Sequence, residues 1–304
     1  MSGPPRLFDR DLHRRRLERA ARGYAAAAFL KRRAAEDIVQ RLEIVKRDFP
    51  LAVDLGSRDG AFAAALAASD AAAKIGVLFE TDLSEAMLAG RPGPRLVADE
   101  EQLPFAPESL DLVVSSLALH WTNDFVGALI QIREALKPDG LFLGAMLGGA
   151  TLIELRGALM TAELELLGGS GPRVSPFADA YDAAGLLQRS GFALPVADVD
   201  RVTVRYDHIF TLMADLRAMG ETSTLVDGAR RPLSRKVLAR AAELYADKFA
   251  APDGRVVATF EILTLTGWAP HAGQPQPLRP GSAKMRLADA LQVQERNAGE
   301  KAGR

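Results

Sequence analysis

The chain has 304 residues, 48% of them hydrophobic and 25% charged, with no cysteine, four histidines and a formal net charge of −1. Such a composition belongs to a globular chain with a substantial core; it excludes disulfides, thiolate nucleophiles and sulfur-ligated metals and leaves little for a histidine-based centre, so no metal ligands are assigned. The longest nearly uncharged stretch, 141–153, is shorter than the run of about 20 apolar residues that crosses a bilayer, and no secretory h-region opens the chain, so a cytoplasmic location is expected.

Charge is local. Residues 1–33 hold ten Lys/Arg against three Asp/Glu, a balance of +7, which leaves −8 for the remainder. Asp9, Asp11 and Glu18 interrupt this run and no aromatic stacking residue falls among the arginines from Arg10 to Arg22, so it reads as a solvated helix, with no nucleic-acid partner. Residues 8–47 predict one or two helices, because Leu12, Leu17, Tyr24, Phe29, Ile38, Leu42 and Val45 recur at near-helical spacing among charges.

Strand and helix signals then alternate, with strands near 50–55, 75–80, 94–98, 110–116 and 140–147 and helices near 59–69, 84–89 and 124–136. The alternation predicts an α/β fold, a doubly wound, seven-stranded, mostly parallel sheet with helices on both faces. Lys137-Pro138-Asp139-Gly140 is expected to end a helix and turn into the next strand. Helices at 150–167 and 178–190 precede a strand at 198–206, and a last strand follows at 256–268. The resulting division is a helical N-terminal extension (1–47), a core (48–206) completed by the final strand (253–269), a helical insertion (207–252) and a flexible, proline-bearing tail (270–304). Ligands of open α/β sheets bind at the carboxyl edge, so the insertion is a candidate lid.

The segment Asp54-Leu55-Gly56-Ser57-Arg58-Asp59-Gly60 lies where the first strand turns into a helix, and Asp82 and Asp99 follow the next two strands. A dinucleotide site would use Asp82 for a ribose hydroxyl as well, but its fingerprint needs Gly-x-Gly against a pyrophosphate, and position 58 is arginine. S-adenosylmethionine carries no phosphate and asks for acceptors, for an ammonium, ribose hydroxyls and an adenine amine. Asp54, Asp82 and Asp99 supply them in order.

At these residues, together with Asp82-Leu83-Ser84-Glu85-Ala86-Met87-Leu88, Ala98-Asp99, Leu103-Pro104-Phe105, Asp111-Leu112-Val113 and Leu136-Lys137-Pro138-Asp139-Gly140, the chain resembles the class I S-adenosylmethionine-dependent methyltransferases over about 48–147. The resemblance implies that Asp54 and Gly56, with Gly60, border the methionyl part, Asp82 the ribose, Asp99 with Glu100 the adenine, and Ser115-Ser116 the floor near the sulfonium. Arg58 stands where the family has glycine. Its guanidinium has three open roles: clamping the methionyl carboxylate, pairing with Asp59, or opposing the sulfonium.

Further segments, Phe8-Asp9-Arg10-Asp11-Leu12, Leu119-His120-Trp121, Gly148-Gly149, Thr151-Leu152, Glu154-Leu155-Arg156, Ser175-Pro176-Phe177 and Met219-Gly220-Glu221, are similar to the mitochondrial complex I assembly factors that are methyltransferase-fold arginine hydroxylases. This implies a protein that hydroxylates an arginine of the iron–sulfur subunit of respiratory complex I, or modifies another protein substrate, with a peripheral contact to that membrane complex. The malonyl-acyl-carrier-protein methyltransferases of biotin synthesis are similar too, and a noncatalytic assembly chaperone is a third class. His120 is a candidate proton acceptor or donor, or a structural cap of its turn; Trp121 covers a cation, or simply packs. Thr151 opens the helix after the fifth strand. Glu221 suits an arginine of a protein substrate, whereas Arg156 and Arg173 suit a carboxylate or phosphopantetheine.

Overall fold

Three helices open the chain where one or two were expected: α1 (Arg10–Ala20), α2 (Tyr24–Ala27) and α3 (Phe29–Ile44). Asp9 caps α1 by accepting from Leu12 N at 2.8 Å, and Gly23, a weak helix former, precedes α2. The computed structural model describes residues 6–227, 232–275 and 285–294; the remaining parts of the extension, the insertion and the tail lie outside the described residues.

Seven strands follow in one sheet: β1 (Phe49–Leu55), β2 (Ile75–Asp82), β3 (Arg95–Val97), β4 (Leu110–Ser116), β5 (Leu136–Leu147), β6 (Ala193–Tyr206) and β7 (Val256–Trp268), in spatial order β3-β2-β1-β4-β5-β7-β6. The first five pair in parallel and β7 runs antiparallel to both β5 and β6, so the sheet is mostly parallel, as predicted. Strand order reverses between β1 and β4, and that switch point is where such sheets open a crevice at their carboxyl ends.

The central strands are apolar because both of their faces are covered. On β1, Ala52 joins the core beneath α3, α4 (Ala61–Ala67), α7 (Ile153–Leu167) and α10 (Arg235–Phe249), while Val53 and Leu55 join the core beneath α6 (Phe125–Ala135) and α8 (Ala180–Arg189). The short α5 (Glu85–Leu88) follows β2, and α9 (Ile209–Ala218) lies in the insertion. The chain divides into two units, 1–270 and 271–304; in the second, expected to be a flexible tail, the described residues include a five-residue helix, α11 (Leu287–Leu291).

Two local expectations are corrected. The 137–140 segment lies inside β5 instead of preceding it: Leu110 pairs with Leu136 and Leu112 with Leu141, so the extra residues bulge. They stay in the ladder because Asp139 N donates to Ala269 O at 3.1 Å and Ala269 N to Gly140 O at 2.8 Å. The basic start is not a wholly solvated face either, since His13 and Lys31 are buried.

The extension and the insertion hold each other over the sheet edge. Asp9 N donates to Thr224 O at 2.8 Å and Val226 N to Leu7 O at 2.9 Å, and Phe8 bridges Leu225. Gly220, at φ +77, turns the chain after α9 and sets Glu221 facing the carboxyl ends of the strands.

Candidate active site

The loop after β1 has three residues in the left-handed region, Gly56 (φ +69), Arg58 (φ +52) and Gly60 (φ +80). For a side-chain-bearing residue that conformation costs about 1–2 kcal/mol. Arg58 is held there by Asp82, whose Oδ2 accepts from Arg58 N at 3.0 Å and from its Nη1 at 2.7 Å. Both side chains are fully buried. Of the roles open to Arg58 in the sequence, pairing with Asp59 is not the one seen among the described residues: the guanidinium pairs with Asp82 and turns toward Glu100, 3.8 Å away. Burial works against its charge, but Asp82 and Glu100 outweigh it and raise the pKa.

Asp82 Oδ1 accepts from Ser84 N at 2.9 Å. Asp99 accepts from Glu101 N at 2.9 Å and from Arg10 Nη2 at 2.6 Å, and Arg10 also pairs with Glu100. Asp54, at the end of β1, is fully buried, and neither of its oxygens has a hydrogen-bond partner among the described residues. Burial pushes its carboxyl up to about 6, with nearby Lys31 acting in the opposite direction. Ser115 Oγ donates to Leu55 O at 2.9 Å, tying β4 to β1, while Ser116 Oγ is buried without a partner among the described residues.

Four residues of this edge escaped the sequence reading. Lys31, on α3, donates from Nζ to Gly56 O at 2.6 Å and to Ser116 O at 2.5 Å. Burial lowers its pKa to about 8, against the pull of Asp54. Arg91 donates to Arg58 O at 2.6 Å and Ser57 Oγ at 3.0 Å and pairs with Glu80. Arg10 and His13 come from α1. A signal existed for two of them, since Lys31 shares a stripe with Ala35, Ile38 and Leu42, and His13 one with Leu17 and Ala20.

On the other side of β4, a short 3-10 turn (Leu119–Trp121) presents His120 and Trp121. Glu221 Oε2 lies 3.0 Å from His120 Nε2 and accepts from Trp121 Nε1 at 2.9 Å. His13 stacks on Trp121 with ring centroids 4.7 Å apart, and Phe8 packs on the same indole edge-on at 5.2 Å. Burial, reinforced by Arg58 and Arg10, holds the His13 pKa well below the usual imidazole range, so its ring is neutral.

Glu221 borders a cavity of about 540 Å³ walled by Leu152, Leu155 and Leu159 of α7 and Met213 and Leu216 of α9. It also lines a smaller recess of about 30 Å³ that reaches Tyr24 and Lys31. Of the expected substrate-side residues, Glu221 and Arg173 reach the large cavity, Arg173 while paired to Glu163. Thr151 and Arg156 are engaged elsewhere. The Thr151 hydroxyl donates to Glu261 O at 3.2 Å and accepts from Glu261 N at 3.1 Å, and Arg156 donates to Ser175 O at 3.2 Å.

Sheet order, switch point and the acid-and-glycine edge define a methyltransferase-fold protein. A family model described as a methyltransferase domain matches residues 53–144. The chain is 41% identical to arginine-hydroxylase NDUFAF5, mitochondrial, of Homo sapiens, over 93% of this chain and 83% of that protein. It is 32% identical to the malonyl-[acyl-carrier protein] O-methyltransferase of Methylovorus sp. (strain MP688), over 95% and 100% of the two. Protein BH2331 of Bacillus halodurans shares the fold at a TM-score of 0.53 and 17% identity, covering 78% of this chain and 99% of its own. The chain belongs to the methyltransferase-fold family of the arginine-hydroxylase NDUFAF5 proteins.

One expectation falls here. The cytoplasmic location is overturned by these relatives, which are mitochondrial. The length of an apolar stretch and the want of a secretory h-region do not separate a mitochondrial protein from a cytoplasmic one. No helix among the described residues is long and apolar enough to cross a membrane.

Proposed function

We propose that the chain modifies an arginine side chain of a protein substrate, hydroxylating an arginine of the iron–sulfur subunit of respiratory complex I during assembly. The observation that carries this reading is Glu221. Both neighbouring donors converge on its Oε2, and among the described residues its Oε1 takes no hydrogen bond. A half-open carboxylate bordering a cavity with leucine and methionine walls suits a guanidinium on an aliphatic stem, which needs an acceptor at its head and apolar walls along its length. The names of the relatives support the same class of substrate.

In this reading 48–206 and 253–269 form the cofactor core, and 207–252 is the lid that supplies Glu221. His120 and Trp121 fix the carboxylate, and closure of the insertion over the edge excludes water. Hydroxylation of a C–H bond by dioxygen consumes two electrons and two protons, one oxygen atom entering the product and the other leaving as water, so a two-electron reductant is a co-substrate; Glu221 binds and orients the arginine.

S-adenosylmethionine is the ligand we infer for the edge. The acceptors fit it in kind: Asp54, Gly56, Gly60, Asp82, Asp99, Glu100, Ser115 and Ser116 are the residues that would hold it. They do not fit it in space as arranged, because a Cβ built on Gly56 would meet Ala118 Cβ at 2.3 Å, Glu100 Oε1 at 3.0 Å and Arg58 Nη1 at 3.3 Å. No step is therefore routed through it.

A second reading, methyl transfer to a malonyl-acyl carrier, is favoured by Arg16, Arg173 and Arg217 on the wall of the large cavity, as cations for a carboxylate or phosphate. Mass spectrometry of the complex I iron–sulfur subunit from cells with and without the gene decides between them. Loss of one added oxygen on an arginine peptide supports hydroxylation, and loss of an added methyl group restores a protein methyltransferase. An unmodified subunit in both strains, with a biotin requirement on deletion, establishes the second reading.

A further inference from the structure

Apart from Asp54, whose oxygens take no hydrogen bond among the described residues, the acidic side chains expected to hold S-adenosylmethionine at this edge are already engaged by cations of the same chain. The two carbonyls at the ends of the central strands, Gly56 O and Ser116 O, receive the Lys31 ammonium at 2.6 and 2.5 Å. The Asp82 carboxylate receives the Arg58 backbone N–H and guanidinium. Asp99 and Glu100 receive Arg10. On the assignment made from the sequence, Gly56 borders the methionyl seat, Asp82 the ribose seat and Asp99 with Glu100 the adenine seat.

The space is filled as well as the hydrogen bonds. Arg58 and Glu100 lie over Gly56, and a Cβ on Gly60 would sit 2.1 Å from the Arg91 guanidinium. Arg58 is completely buried and Lys31 nearly so. Both are cations, and S-adenosylmethionine would bring an ammonium and a sulfonium against a single carboxylate, a net positive charge, into the same low-dielectric volume.

We infer that Arg58 and Lys31 are a built-in occupant of the cofactor seat, so that this chain binds S-adenosylmethionine only by expelling the Arg58 guanidinium from Asp82. The inference rests on the edge being that cofactor's seat, and not on which substrate is modified. Arg58 acts by occupying a ligand's place, and the Asp82 ion pair is the latch that any ligand must open. The pocket interior also holds polar atoms with no hydrogen-bond partner among the described residues, Arg58 Nε and Nη2 and Glu100 Oε1 among them, so the occupant satisfies the seat only in part. A latch left partly unsatisfied is one that a better-matched ligand, or a change of residue, can displace.

Calorimetric titration of the purified full chain with S-adenosylmethionine and with S-adenosylhomocysteine tests this on wild type, Arg58→Gly and Lys31→Met. Wild type is expected to bind at least ten-fold more weakly than Arg58→Gly, and the ligand is expected to raise the melting temperature of the variant more than that of wild type. Circular dichroism checks that each variant folds. Lys31→Met keeps the Arg58–Asp82 pair and frees Gly56 O and Ser116 O, so it decides the matter if Arg58→Gly does not fold; a gain of several-fold over wild type is expected. Equal affinity in all three proteins, or weaker binding in the variants, overturns the built-in occupant while leaving the cofactor reading intact. No binding by any folded form overturns the cofactor reading itself, and the inference with it.

Discussion

The indole N–H of Trp121, in the turn after β4, donates to Glu221 Oε2 at 2.9 Å, joining the central sheet to the residue that follows α9 in the insertion. The same oxygen faces His120 Nε2 at 3.0 Å, so two rings fix one carboxylate from the sheet side. Its position is therefore set by the core, although it is carried by the insertion. Glu221→Gln retains the shape and removes the charge. We expect turnover on an arginine-containing peptide to fall on the order of 10–100-fold, mainly through KM, since a charge-assisted contact to a guanidinium is worth roughly 1.5–3 kcal/mol. Steady-state kinetics of the variant check this; an unchanged KM would remove Glu221 from substrate recognition.

Arg10 clips the extension to the edge, pairing with Asp99 and Glu100 and donating to Trp121 O at 3.1 Å. Arg10→Ala leaves a nearly buried Glu100 with one cation fewer. Breaking such a pair from one side costs about 3 kcal/mol or more. Urea denaturation should show a midpoint well below that of wild type, whereas Arg15→Ala, on the same helix and lining only a shallow groove with Glu18, Arg19 and Arg22, should melt like wild type.

Lys31 gives a signature in pH. Its pKa is lowered from 10.5 to about 8 in the folded chain, so between those values the unfolded chain binds the proton and the folded chain does not. Stability contributed by this group rises with pH across that window and is lost as pH falls through about 8. Chemical denaturation of wild type and Lys31→Met from pH 7.5 to 10.5 should therefore show their difference narrowing or growing in favour of wild type as pH rises. Parallel curves would contradict the lowered pKa of Lys31.

Thr151 separates a structural role from a substrate one. Its hydroxyl exchanges two hydrogen bonds with the Glu261 backbone and is sealed from solvent. Thr151→Val should cost about 1–3 kcal/mol of stability, the penalty of an unpaired buried group, with KM unchanged. A changed KM at unchanged stability would return Thr151 to the substrate side.

Much of this was legible along the chain. The strands showed as apolar runs ending on acids because buried parallel strands need apolar residues on both faces, and the acids stand where the crevice opens. Asp54, Asp82, Asp99 and Ser116 could thus be placed at one edge before any coordinates. Their partners could not. Lys31 meets Gly56 across 25 residues and Ser116 across 85, and Arg10 meets Glu100 across 90. Nothing local encodes a docking of this kind, beyond a lone basic residue on an otherwise apolar helical stripe. The 137–140 bulge was misread for a related reason: Pro and Asp-Gly have the chemistry of a turn, and only pairing to Ala269 keeps them in a ladder.

The way the chain leaves and re-enters the sheet has a wider consequence. β5 and β7 are neighbours, and everything from Gly148 to Arg255 departs from one and returns by the other, rooted where Gly148 N donates to Glu261 O at 2.7 Å and Leu152 N to Thr259 O at 2.7 Å. The strands that carry Asp54, Asp82 and Ser116 are complete before that excursion begins. A lineage can accordingly retool what is presented to the crevice, by changing one continuous stretch of gene, without rebuilding those strands.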